Sequence, residues 1–190
     1  MNLKELRDMV RASLDEPDEQ GFFSNDEINR WLNEAQKDIA LKTKHLKDSV
    51  YRIMESNVTT FQLPIDYIEM HKVIRNGKRL KKIAMEEAED KAGYYTWKDE
   101  LNVYPPGNGS DKLKLFYFRS PQKMQDDEDD PEVPYAFRDM MIQFACYKAK
   151  IKDRHPEEAQ MFYEDYMQDV AEMQQKFRVK PYKKKIKVER

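Results

Sequence analysis

A chain of 190 residues is long enough to bury a hydrophobic core without disulfides or metals, and it predicts one domain or one domain with an insertion. The formal net charge of −2 excludes a uniformly polybasic nucleic-acid binder, and the 12% aromatic content argues against a disordered chain. The single cysteine excludes an intramolecular disulfide. No apolar run reaches the roughly 20 residues of a membrane span, and residues 1–5 lack a signal-peptide core, so we expect a soluble protein made in a cytoplasm.

Residues 1–46 have the apolar spacing of two helices. The apolar positions of the first are Leu3, Leu6, Val10 and Leu14. Pro17 predicts a break after this helix, because proline cannot continue one. Ser24 and Glu27 then predict a capping box at the start of the second helix. Its apolar stripe comprises Ile28, Trp31, Leu32, Ala35 and Ile39.

Residues 47–120 change to the shorter period of strands. We predict strands over Val58–Leu63 and Ile68–Ile74, and a hairpin at Asn76-Gly77, where both residues tolerate positive φ. A short acidic helix is predicted over Met85–Lys91. A second hairpin is predicted from Leu101–Tyr104 and Lys112–Phe118, joined by Pro105-Pro106-Gly107-Asn108-Gly109.

Residues 134–177 return to helical spacing, with a break at His155-Pro156 between two apolar stripes. The stripes are Phe137, Met140, Met141, Phe144 and Ala145, and then Ala159, Phe162, Tyr163, Tyr166, Met167, Val170, Met173 and Phe177. Each stripe must be buried against another element. We therefore expect an α+β fold, in which a helical bundle from residues 1–46 and 134–177 carries an inserted antiparallel β module at 47–120. An acidic loop at 121–133 and a basic C-terminal tail at 178–190 complete the predicted division of the chain.

The acidic loop contains five consecutive carboxylates, Asp126, Asp127, Glu128, Asp129 and Asp130. A calcium site is one interpretation, but the run lacks the glycine and the distal glutamate of the calcium-binding helix–loop–helix pattern. The interpretation that we prefer is a solvated, self-repelling loop.

The C-terminal tail is the most basic segment, with eight lysines and arginines from Lys176 to Arg190 against one acid, Glu189. Three interpretations stay open. The tail is a solvated terminus, or an arm that contacts nucleic-acid phosphates, or a strand that adds to a partner's sheet edge. The alternation Lys185-Ile186-Lys187-Val188 favours the last of these.

The sequence offers no catalytic, cofactor-binding or metal-binding residue that we would single out. His45, His71 and His155 are scattered and show no ligand spacing with Cys146. Cys146 lies among apolar residues of a predicted helix, which favours a small core residue over a nucleophile. Phosphate-binding glycine loops and nucleophile elbows are also missing, so we expect no enzyme.

The order of short motifs resembles that of a known family. The motifs are Leu63-Pro64-Ile65-Asp66-Tyr67-Ile68, Arg75-Asn76-Gly77-Lys78, Leu101-Asn102-Val103-Tyr104-Pro105-Pro106, Leu113-Lys114-Leu115-Phe116-Tyr117, Ser120-Pro121, Asp130-Pro131-Glu132-Val133-Pro134-Tyr135 and Phe144-Ala145-Cys146-Tyr147. Over about residues 1–175 the chain resembles the adaptor, or head-completion, proteins of tailed bacteriophages.

The resemblance implies a structural subunit of the virion, assembled in the host cytoplasm. Such proteins form a ring, commonly of about twelve copies, beneath the portal protein at the head–tail junction. The ring extends the DNA channel and carries the next neck or tail protein.

Two further expectations concern particular segments. The resemblance makes the tail the portal-docking segment, through Lys180, Pro181, Tyr182, Lys183, Lys184, Lys185, Ile186, Lys187 and Val188. We also expect the acidic run at 126–130 to face the lumen, where repulsion would let DNA pass without specific binding. The alternatives are a DNA-binding regulatory or packaging protein that uses the basic tail, and a small enzyme with a deep polar pocket.

Overall fold

The computed structural model describes residues 1–16 and 21–177. Their helices are α1 (Leu3–Ser13), α2 (Asn25–Thr43), α3 (Asp139–Lys152) and α4 (Pro156–Phe177). The strands are β1 (Lys47–Met54), β2 (Thr60–Gln62), β3 (Tyr67–Arg75), β4 (Lys78–Arg79), β5 (Gly93–Trp97), β6 (Glu100–Tyr104) and β7 (Asp111–Arg119). The predicted α+β fold, helices at both ends and antiparallel strands between them, is confirmed.

The two N-terminal helices begin where their side chains can satisfy the free amides of the first turn. At α2, Ser24 Oγ accepts from the amide of Glu27 at 3.2 Å while the Glu27 carboxylate accepts from the amide of Ser24, which confirms the predicted capping box. Asn2 and Glu5 form the same arrangement at α1. The predicted break after α1 falls on Pro17, which lies outside the described residues.

The four helices pack on one another around a single apolar core. The positions predicted for α2 and α3 are all buried, as are Leu3, Leu6 and Val10 of α1. On α4 the innermost residues are Ala159, Tyr166, Val170 and Met173. Pro156 is the first residue of α4, as expected for a residue whose missing N–H costs nothing there.

The strands form two antiparallel sheets with separate orders. The larger sheet has the order β1-β7-β3-β4, and the smaller has the order β2-β6-β5. Their facing sides share a second core, built from Met54, Val73, Tyr94, Leu101, Val103, Leu113 and Leu115. The hairpin at Asn76-Gly77 is confirmed between β3 and β4, with φ values of 49° and 80° at the two turn residues.

The second predicted hairpin is wrong. β6 pairs with β5 and β2, whereas β7 pairs with β1 and β3, so the two strands lie in different sheets. Both strands carry an apolar face. These two faces are buried against each other because the smaller sheet packs on the larger one. Gly107, between the two strands, allows close approach to β1, since a Cβ there would lie 2.4 Å from the Glu55 carbonyl oxygen.

Two smaller predictions also need correction. The acidic helix expected over Met85–Lys91 is a short 3-10 helix, Met85–Glu87, followed by turns. Only Ala88 is buried there, so little packing is available to sustain a longer helix. β1 was not predicted from the sequence, because its residues are exposed on both faces except at Val50 and Met54 and therefore show no clear alternation.

Candidate assembly surfaces

The acidic run at 126–130 lies against the start of α1. The amide of Leu3 donates to the carbonyl oxygen of Asp129 at 2.9 Å, and the amide of Lys4 donates to that of Asp127 at 3.1 Å. These bonds satisfy first-turn amides that have no partner within the helix. The side chains also place negative charge near a helix N-terminus, which favours them there.

The carboxylates of the run are partly neutralised by buried or half-buried cations. Arg7, only 4% exposed, donates to Asp127 at 2.9 Å, and this bond lowers the pKa of the carboxyl. Arg138 pairs with Asp130 at 2.9 Å. Asp129 accepts from two backbone amides of its own loop, which lowers its pKa. The run is therefore anchored to the bundle, in contrast to the solvated, self-repelling loop expected from the sequence, although its side chains remain accessible to solvent.

The predicted portal-docking residues, Lys180 to Val188, lie outside the described residues. The chain leaves the described part at Phe177, the last residue of α4. Phe177 lines an open groove of about 600 Å³ between the ends of α2 and α4 and the larger sheet.

The larger sheet has an outer face that the sequence analysis did not single out. Strand register places on it Lys47, Tyr51, Ile53, Lys72, Ile74, Arg79, Lys112, Lys114 and Phe116, which we call the basic sheet face. Its five cations form no ion pair within 4.0 Å among the residues that the structure describes. Tyr51 and Ile53 are 65% and 67% exposed. The alternation of lysines along β7 was visible in the sequence, but its continuation onto β1 required the register.

A second charged surface, of the opposite sign, lies on the helical bundle. We call it the acidic helix face: Asp165, Asp169 and Glu172 follow one side of α4, and Asp139 of α3 stands beside them. Partial burial raises the pKa of Asp169, and the nearby charges of Glu172, Asp139 and Asp165 raise it further. Their spacing along α4 is four and then three residues, so the sequence contained this stripe, but not the contribution of α3.

Tertiary contacts lock the β module to the bundle at the end of β7. Arg119 forms a two-pronged pair with Glu132, which also accepts from the amide of Gln122 at 2.7 Å. His45, just after α2, lies 3.1 Å from the carbonyl oxygen of Glu132. Burial lowers the pKa of His45, and the bond to Arg119 lowers that of Glu132.

The single cysteine occupies a structural position in the bundle. Cys146 is fully buried in the bundle core, as predicted, and burial raises the pKa of its thiol to about 12. Within residues 1–16 and 21–177, no three histidine, cysteine or acidic side chains are grouped to hold a metal ion. An open groove of about 850 Å³ beside α2 is lined mainly by polar side chains. No helix in the described ranges has the length and apolar character needed to cross a membrane.

Comparison with known proteins agrees with this arrangement. The family model of the SU10 adaptor protein matches residues 1–182, which include every described helix and strand. None of the curated proteins matches the chain. The family is one of phage head–tail adaptors. By this match over nearly its whole length, the chain belongs to the SU10 adaptor protein family.

Proposed function

We propose that this protein is a structural adaptor subunit at the phage head–tail junction, where it acts by joining proteins and not by catalysis. The single observation that carries the proposal is the family match over residues 1–182. The fold supports it, because Cys146 is buried in the core and Arg119, Glu132 and His45 join structural elements. Two large accessible surfaces, the basic sheet face and the acidic helix face, are left for partners.

The proposed assembly is a ring of about twelve copies beneath the portal protein. The ring extends the DNA channel and presents a platform for the next neck or tail protein. Closed rings use heterologous contacts, in which each subunit offers two different patches to its neighbours. Many repeated contacts then hold the ring by avidity even where each contact is weak.

The C-terminal tail is the proposed portal-docking segment, and its removal is the decisive test. A chain ending at Phe177 should fail to decorate the cognate portal protein in electron micrographs, while the full chain forms rings on it. Normal decoration by the shortened chain would contradict this role. If the full chain forms no ring on the portal, the adaptor function itself fails.

Two tail variants separate the modes of docking. Replacing Ile186 and Val188 by alanine removes the apolar positions that a strand would insert into a partner's sheet edge. Replacing Lys183, Lys184 and Lys185 by glutamine removes charge but keeps those positions. Strand addition predicts that the first variant loses portal binding and that the second keeps most of it, whereas an electrostatic arm predicts the reverse.

The acidic run is proposed to face the lumen, where its charge would repel the passing DNA. Because Asp127, Glu128 and Asp129 contact the start of α1, the test must leave them intact. Asp126→Lys should slow DNA ejection from assembled particles by adding attraction for phosphates. Glu86→Lys, also exposed but in the β module, is the matched control. Equal ejection rates for the two variants would contradict the proposed position of the acidic run in the lumen.

A further inference from the structure

We propose that neighbouring copies associate by docking the basic sheet face of one copy on the acidic helix face of the next. This inference rests on the proposed ring and names the two surfaces that form it. The occupant of each surface is therefore a second copy of this chain. The two surfaces lie on different elements, the larger sheet and α3–α4, so the contact is heterologous, as a closed ring requires.

The basic sheet face combines the apolar and charged groups that protein interfaces use. Tyr51 and Ile53 expose apolar area on the edge strand β1, and the cations of β7, β3 and β4 lie beside them on the same face. Lys72 lies 4.1 Å from the ring centre of Phe116, and Lys114 lies 4.4 Å from that of Tyr51. Cation–π contacts of this kind hold the lysines close to the sheet. Such ordering reduces the side-chain entropy that docking would cost.

Among the described residues, no carboxylate of the same copy forms an ion pair with the cations of this face. Glu69 is the acidic residue among the strand positions that share this face. Its carboxylate already forms an ion pair with Lys44 at the end of α2. The pKa of His71 reports the surplus of positive charge, since it is lowered by burial and then by Lys72, Lys47 and Arg79. An opposing acidic surface would relieve this repulsion.

The acidic helix face provides the complementary charge and an apolar contact. None of its four carboxylates forms an ion pair with a described lysine or arginine. Asp165 and Asp169 are spaced for one side of α4, and Met161, one turn before Asp165, is 67% exposed. Methionine adapts its shape to a partner surface and suits an interface position opposite Tyr51 and Ile53.

Duplex DNA is the other polyanion that this sheet face would attract. A second copy is favoured because the chain itself carries the matching acidic surface, and because the exposed aliphatic side chain of Ile53 gains nothing from a phosphate backbone. DNA binding depends on attraction between protein cations and phosphates, which weakens as salt is added, and it needs no apolar contact. A second copy and a DNA duplex should therefore respond differently when the charges of the basic sheet face are reversed.

The test is a charge swap measured by ring formation on the cognate portal protein. Lys72→Glu with Lys114→Glu should reduce the yield of rings by about tenfold or more, because like charges then face each other across the contact. Asp165→Lys with Glu172→Lys should have the same effect. The chain that carries all four substitutions should recover rings, since its reversed faces attract again.

The outcomes separate the possible failures. Lys37→Glu with Lys123→Glu, two exposed lysines outside both faces, is the matched control and should assemble normally. Circular dichroism of each variant verifies folding. Undiminished rings in both double variants, or no recovery in the fourfold variant, would overturn the docking scheme while leaving the adaptor function standing. Normal rings with lost affinity for a DNA duplex in the Lys72 and Lys114 variant would overturn it in favour of DNA. Failure of the unaltered chain to form rings would overturn both proposals.

Discussion

The charged residues of this protein divide into those that hold the fold together and those that remain for partners. Arg7 and Asp127 belong to the first class: they are 120 residues apart in the chain and 2.9 Å apart in space. Lys72 and Lys114 belong to the second, because aromatic rings support them and no carboxylate pairs with them among the described residues. Both classes consist of charged side chains, and only the three-dimensional neighbours distinguish them.

Cys146 allows a prediction at the scale of a single residue. Its thiol should stay unmodified by a thiol-specific reagent at about pH 8 in the folded protein, because burial raises its pKa to about 12 and only the thiolate reacts. In guanidinium chloride one thiol per chain should react. The absorbance of the coloured thiolate that the reagent releases measures the reaction in both states. Rapid labelling of the folded protein would contradict the buried position.

The helices and strands of the chain differ in how far they could be predicted. Both amphipathic stripes of the N-terminal helices and the α2 capping box were predicted, since a helix start depends on residues three positions apart. The pairing of β6 and β7 was not, because their alternation fits either a hairpin or two facing sheets. β1 was overlooked since an exposed edge strand shows no burial pattern.

Loss of the α2 cap gives a prediction at the scale of one element. Ser24→Ala should lower the free energy of unfolding by about 1 kcal/mol, because the amide of Glu27 loses its acceptor. Urea denaturation followed by circular dichroism measures the change. Ser49→Ala is the control: Ser49 is exposed on β1 and caps no helix, so its loss should leave stability nearly unchanged. Equal effects of the two substitutions would contradict the role of the cap.

At the scale of the whole molecule, the bundle and the β module have separate cores joined by polar contacts. The bundle core contains residues from all four helices, while the second core lies between the two sheets. Arg119, Glu132 and His45 join the end of β7, the loop before α3 and the end of α2. This junction fixes how the basic sheet face is presented relative to the helices.

Breaking this junction should destabilise the protein in a pH-dependent way. Glu132→Gln should cost about 1.5–3 kcal/mol at neutral pH, the range for a hydrogen bond to a charged group. Arg119 lowers the pKa of folded Glu132, so the carboxylate stabilises the fold above its unfolded pKa of about 4.3 and loses this effect as pH falls through the folded value.

Denaturation of both proteins across this pH range provides the measurement. The unaltered protein should lose more stability than the Glu132→Gln variant as the pH falls below about 4.3, so that the difference between them narrows. His45→Gln should leave this acidic narrowing in place, because the Arg119–Glu132 pair is intact in that variant. A constant difference at every pH would mean that the Arg119–Glu132 pair contributes no stability through its charge.

The sequence by itself determined the class of fold, the helix faces and the resemblance to phage adaptors. The family match confirms this resemblance. These properties depend on local spacing and on the order of short motifs. The tertiary structure alone decided that β6 and β7 lie in different sheets, that the acidic run is anchored to α1, and that lysines from three strands share one face with Tyr51 and Ile53. Each of these depends on strand register or on contacts between residues far apart in the chain, which local periodicity does not encode.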